Sequence, residues 1–158
     1  MNKEQPRGVS RKAIIISLIF APIFWAAIAI YLHNQSSAAS VRKSLPADAE
    51  EIRESFRHAL IPGSDATLWL RAKVSPEGAQ AFAKQVMPEG RAIDLSDAWA
   101  KQICTVNDAL ASSYGKPSWL DLPNAAETDL AIEQMLDLDF RYLKYKAPYL
   151  YYCRRFRP

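Results

Sequence analysis

From Ala13 to Leu32 the chain runs for twenty residues without a charged side chain, seven of them Ile. At about 1.5 Å per residue such a run makes a helix roughly 30 Å long, the thickness of a bilayer's hydrocarbon core. A removable secretory signal has an apolar core of about 7–15 residues, so the length argues for an anchor that stays. Pro22 takes one donor out of the run, which a spanning helix tolerates through a local kink. Tyr31, followed by His33, stands where an interfacial aromatic belongs, whereas Trp25 lies too deep for that position. Against retention stands Ser37-Ala38-Ala39, small residues at a spacing that signal peptidase accepts.

Charge gives the run a direction. Lys3, Arg7, Arg11 and Lys12 precede it, and the next cations after it are Arg42 and Lys43. Cations flanking a span stay cytoplasmic, so the expected topology has the N-terminus inside and the bulk of the chain outside, on the periplasmic face of a bacterial inner membrane. The corresponding division is a cytoplasmic tail (1–12), a transmembrane helix (13–33), a small polar linker (34–45) and an extracytoplasmic domain (46–158).

The formal charge of +3 belongs to the N-terminus. The first 33 residues hold four of the 20 cations and one of the 17 acids, leaving sixteen of each for the rest. A neutral domain outside the cytoplasm excludes nucleic acid as an expected partner. The remaining length, roughly 115 residues, suffices for one modest core and no second domain. Cys104 and Cys153 both lie beyond the run. In an oxidising compartment they are disulfide candidates; the alternative is two buried thiols acting as small hydrophobes. With only His33 and His58 in addition, no zinc-ligand spacing arises, and neither metal nor cofactor is expected.

In the domain, from Asp48 onward, Ile52, Phe56 and Ala59/Leu60 recur at four- and three-residue intervals with acids in the first turn and Arg57 and His58 in the last, which predicts an amphipathic helix ended by Pro62-Gly63. Ala66–Val74 alternates Leu68, Leu70, Ala72 and Val74 with Thr67, Trp69, Arg71 and Lys73, the pattern of a half-buried strand. Ser75-Pro76-Glu77 supplies a cap, a first-turn proline and an acid for a second helix through Met87. Leu95–Leu110 reads as irregular or weakly helical, and Ser113–Pro123 as a long loop. Leu138–Tyr145 and Tyr149–Phe156 predict a β-hairpin whose proline implies a connection longer than a tight turn. The expected fold is α+β, a short, mainly antiparallel sheet with helices packed on one face.

Chemistry is thin along this chain. Six acids and no base lie between Leu120 and Asp139; six bases and no acid lie from Arg141 to the end. Either the blocks neutralise each other along a sheet edge, or the basic, Tyr-rich hairpin contacts an acidic partner or anionic lipid. On the second reading Arg154, Arg155, Arg157, Tyr149 and Tyr151, with Trp119 on the preceding loop, are the candidate binding residues. Asp137-Leu138-Asp139 is a bare carboxylate pair with no glycine loop near it. Asp97, His58 and a serine lack the G-x-S-x-G elbow that would make a triad of them. No catalytic residue is therefore nominated. The expected function is a single-pass membrane-anchored protein whose small domain binds a protein partner near the membrane. The alternatives are an accessory subunit packing through its helix, or an enzyme with an unrecognised site.

Overall fold

A computed structural model describes residues 11–57 and 64–157, without the side chains of residues 11–17, 19, 30 and 33–38. Helix α1 (Arg11–Lys43) is continuous through Pro22. Among the described residues no helix is long and apolar enough to cross a membrane. The expected span 13–33 falls in part on residues whose side chains lie outside that description.

The expected linker does not appear as a slack tether, since residues 34–43 continue α1. Its last turn is bound to the domain. Val41 is buried in the core with Leu45 packed beside it, and Arg42 lies 4.0 Å from Glu54.

After α1 come β1 (Glu50–Arg57), β2 (Ala66–Lys73), α2 (Pro76–Val86), β3 (Arg91–Ala92), α3 (Ala98–Ser113), a 3-10 turn at Ala125–Glu127, β4 (Leu130–Leu136), β5 (Asp139–Lys146) and β6 (Tyr149–Phe156). The six strands form one antiparallel sheet in the order β1-β2-β6-β5-β4-β3. The fold is thus α+β, with a sheet larger than expected.

One expectation about its layers fails. Helices cover both faces, because alternate residues of the central strands are apolar in both registers. Leu68, Leu70, Leu143, Leu150 and Tyr152 pack with Phe82, Ala79 and Val86 of α2. Trp69, Tyr142, Tyr151 and Cys153 pack with Ala100, Cys104 and Ala111 of α3.

Local chemistry explains the helix starts. Ser75 accepts from Gly78 N at 3.1 Å with Pro76 in the first turn, and Asp97 accepts from Ala100 N at 2.9 Å. The segment Glu50–Arg57, expected to be helical, is instead an edge strand with a bulge at Glu51, whose φ is 48°. The expected stop at Pro62-Gly63, and His58 itself, lie outside the described residues. The β5–β6 connection is the two residues Ala147-Pro148, shorter than expected, with a cis peptide between them.

Candidate functional site

The arginines of the C-terminal strand divide between the two faces. Arg154 lies on the α2 side, where its Nε and Nη2 donate to Asp139 at 3.0 and 2.9 Å. Arg141 donates to the same carboxylate and, through Nη1, to Val86 O at 2.5 Å. That last bond satisfies a carbonyl at the end of α2, where the helix dipole favours a cation. Burial raises the Asp139 carboxyl, but the hydrogen bonds and charge of Arg141 and Arg154 outweigh it and hold the group below its ordinary value.

Arg155 and Arg157 lie on the α3 side and share Asp65. Arg155 donates to Oδ2 through both Nε and Nη2, and Arg157 to Oδ1 at 3.1 Å. The Arg155 hydrogen bond is the largest influence lowering the Asp65 carboxyl. Arg155 also stacks 4.1 Å from the Tyr114 ring centroid at the end of α3. All three arginines nominated from sequence therefore have internal carboxylate partners. Asp137 and Asp139 separate likewise: Asp137 sits in the β4–β5 turn with φ 44°, while Asp139 serves the arginines. Asp97 is a helix cap.

At the opposite end of the α3 face, Arg71 lies 4.0 Å from the Tyr149 ring centroid and 6.0 Å from that of Tyr151. Tyr149 Oη donates to Glu51 at 2.9 Å. Trp119 is partly buried against the α3-side core. Arg71, Tyr149 and Tyr151 form an aromatic end to the sheet, away from Arg155 and Arg157. Cys104 and Cys153 are free and buried in the α3-side cluster, and burial raises the Cys153 thiol.

Between these ends Lys144 points under α3. Its Nζ donates to Asp108 Oδ2 at 2.6 Å and to Pro123 O at 2.7 Å, fastening both α3 and the loop that follows it to the sheet. Among the described residues no group of three or more His, Cys, Asp or Glu side chains is placed to hold a metal.

The concavity that sequence reading missed lies at the β4 edge. A cleft of about 430 Å³ is lined by Arg91, Asn107, Glu133, Gln134, Met135 and Phe140, among others. Arg91 pairs with Glu133, which also accepts from Asn107 Nδ2 at 2.7 Å. Gln134 is only 4% exposed, and its Oε1 has no hydrogen-bond partner. Met135 and Leu138 are 63% and 59% exposed on the adjoining hairpin. The signal was present in Met135, Leu136 and Leu138, apolar residues standing inside an otherwise acidic block. The cleft is an open strand edge with mixed apolar and polar walls. No protein-family model, curated protein or solved structure matches the chain.

Proposed function

We propose that the chain is a single-pass membrane protein, N-terminus cytoplasmic, whose extracytoplasmic α+β domain acts by binding a protein partner near the membrane rather than by catalysis. The observation that carries this is the character of α1. Ile23, Phe24 and Trp25 are consecutive, hence about 100° apart around the helix, and all are exposed, as are Leu18, Phe20 and Leu32. Apolar surface bared on every side costs about 25 cal/mol per Å² in water, and hydrocarbon removes that cost. The described residues alone fall short of a span. Uncharged residues 13–17, 19 and 30, whose side chains lie outside the description, complete the twenty.

Anchoring would raise the domain's effective concentration toward a partner on the same membrane, so a modest affinity suffices. Fractionation with protease accessibility of tags at both ends tests this. The expected result is a membrane-bound chain with a protected N-terminal tag and an exposed C-terminal one. Recovery of a soluble mature chain, or a C-terminal tag shielded in intact cells, overturns it.

A second reading, an accessory subunit working through its helix, is favoured by one feature. Phe20, Ala21, Ile23, Phe24 and Ala27 line a shallow apolar groove on α1, a shape that a neighbouring helix fills. Replacing 13–33 by an unrelated apolar helix should abolish function on this reading alone.

A further inference from the structure

We propose that a cationic strip on the α3 side of β1 and β2, formed by Arg53, Arg57, Arg71 and Lys116, receives an acidic segment of the domain's protein partner. The inference rests on the reading of the domain as a binding module and names the chemistry of what it binds.

In the β1–β2 ladder Arg53 stands directly opposite Arg71, and Ser55 and Arg57 follow opposite Trp69 and Thr67. Trp69 belongs to the α3-side core, so the alternation of a strand puts Arg53, Ser55 and Arg57 on that same face. Like charges set opposite each other on one face destabilise a sheet. Arg71 is compensated by the Tyr149 ring, 4.0 Å away, whereas Arg53 is exposed. At the far end of the strip Arg57 reaches the turn after α3, its Nη1 3.1 Å from where a Cβ would stand on Gly115. Lys116 follows that glycine and is exposed.

Among the described residues none of these four cations has an ion pair. The acids around them are engaged elsewhere. Glu51 accepts from Tyr149 Oη and lies 4.0 Å from Lys73, Glu54 stands on the other face by Arg42, and Asp65 holds Arg155 and Arg157. Asp121, on the loop that carries Lys116, does not balance four cations. Carboxylates arriving from outside meet uncompensated positive potential there and relieve the repulsion between Arg53 and Arg71. The direction of the strip selects a protein segment over a bilayer. Helix α1 ends at Lys43 and β1 begins at Glu50, so a membrane reached through α1 lies toward the Glu50 end of the strand. Arg57 is at the other end of β1, roughly 23 Å further on at the rise of a strand. A surface potential decays over about 8 Å at physiological salt, so a bilayer would meet Arg53 and Arg71 at most and miss Arg57 and Lys116. A chain laid along β1 meets all four.

The test uses the full chain in nanodiscs of zwitterionic lipid and a fluorescent octaglutamate peptide, read by anisotropy at physiological salt. Wild type is expected to bind the peptide, and Arg53→Glu combined with Arg57→Glu should weaken binding roughly tenfold or more with an unchanged melting temperature. Lys84→Glu combined with Lys101→Glu makes the same change of net charge at exposed lysines on α2 and α3, and should leave binding within about twofold of wild type. Arg53→Gln combined with Lys116→Gln should weaken binding about threefold, and it decides the matter if the glutamate variant of the strip does not fold. Undetectable binding at millimolar peptide, or equal loss in the strip variant and the lysine variant, overturns the proposal. So does stabilisation of wild type, but not of the strip variant, by anionic lipid in the disc without any peptide binding, since that identifies the bilayer as the occupant. Each of these outcomes leaves the fractionation result intact, so failure here is separable from failure of the anchored-domain reading.

Discussion

Lys144 is the one charged side chain among the described residues that is buried outright, and its surroundings define what the pair can do. Asp108 Oδ2 and Pro123 O accept its hydrogen bonds, while Asp108 Oδ1 is buried without a partner. Lys144 is wholly buried and Asp108 partly so; such a pair gives little net stability, yet removing Asp108 leaves Lys144 an uncompensated buried charge. Asp108→Ala should therefore lower unfolding free energy by about 3 kcal/mol or more, and adding Lys144→Met should restore most of the loss in urea denaturation. Equal stability of the single and double variants would mean that water reaches Lys144 after the truncation. Asp139 makes the matching prediction in pH. Its folded value lies below the unfolded one, near 3.9, so its contribution is present above that value and is lost as pH falls through the folded value. The stability gap between wild type and Asp139→Asn should be constant from pH 7 to 5 and close below about pH 4. A gap that persists at pH 2 would assign it to packing.

At the scale of elements, what could be read from sequence depended on whether period and residue size agreed. The helix α2 has cap, proline, acid and large apolar residues in step, and it starts where Ser75-Pro76 predicts. Ser75→Ala should cost about 1 kcal/mol, seen as a fall in melting temperature without loss of fold. An unchanged melting temperature would show that water replaces the cap. The strand β1 was misread because Ile52 and Phe56 are four apart, a spacing shared by one helix face and one strand face. The intervening Glu54, on the same strand face, removed the strand signal. The helix α3 was nearly invisible for another reason. Its buried positions, Ala100, Cys104, Asn107 and Ala111, have helical spacing but are small or polar, so they let the helix approach the sheet without a hydrophobic signature. Trp99, a large apolar residue of that helix, is 67% exposed. The acidic and basic blocks did meet, through Asp139 with Arg141 and Arg154 and through Glu127 with Lys146. Asp65, which holds Arg155 and Arg157, belongs to neither block and depends on the β2–β6 pairing for its place. The β4 cleft is likewise assembled by long-range pairing, and locally only Met135, Leu136 and Leu138, apolar inside an acidic block, point to it.

For the whole molecule the consequential feature is the absence of slack between α1 and the sheet. A flexible tether of twelve residues would let the domain sample a broad volume above a bilayer, with a root-mean-square reach of about 20 Å. A helix that continues to Lys43 and buries Val41 in the α2-side core instead gives the domain a fixed attachment. Pro46 strengthens it, since a Cβ placed on Gly78 would lie 3.0 Å from Pro46 Cγ. The segment just after α1 and the start of α2 therefore pack closely, and a side chain at Gly78 would push Pro46 aside by a few tenths of an ångström. If α1 spans a membrane, the domain is held at one height and tilt above it, and any partner must lie within that reach. Proteolysis measures this directly. Arg42 and Lys43 are trypsin sites in an exposed but helical and docked turn, and cleavage needs several residues in extended form. In vesicles with the domain outside, trypsin should remove a C-terminal tag well before it releases the domain at Arg42 or Lys43. Replacing Val41 by Asp should bring the release forward to the rate of the tag by undocking the turn. Release of the wild-type domain as fast as the tag would show that the helix end is frayed in the membrane-bound protein, and the fixed-height argument would go with it.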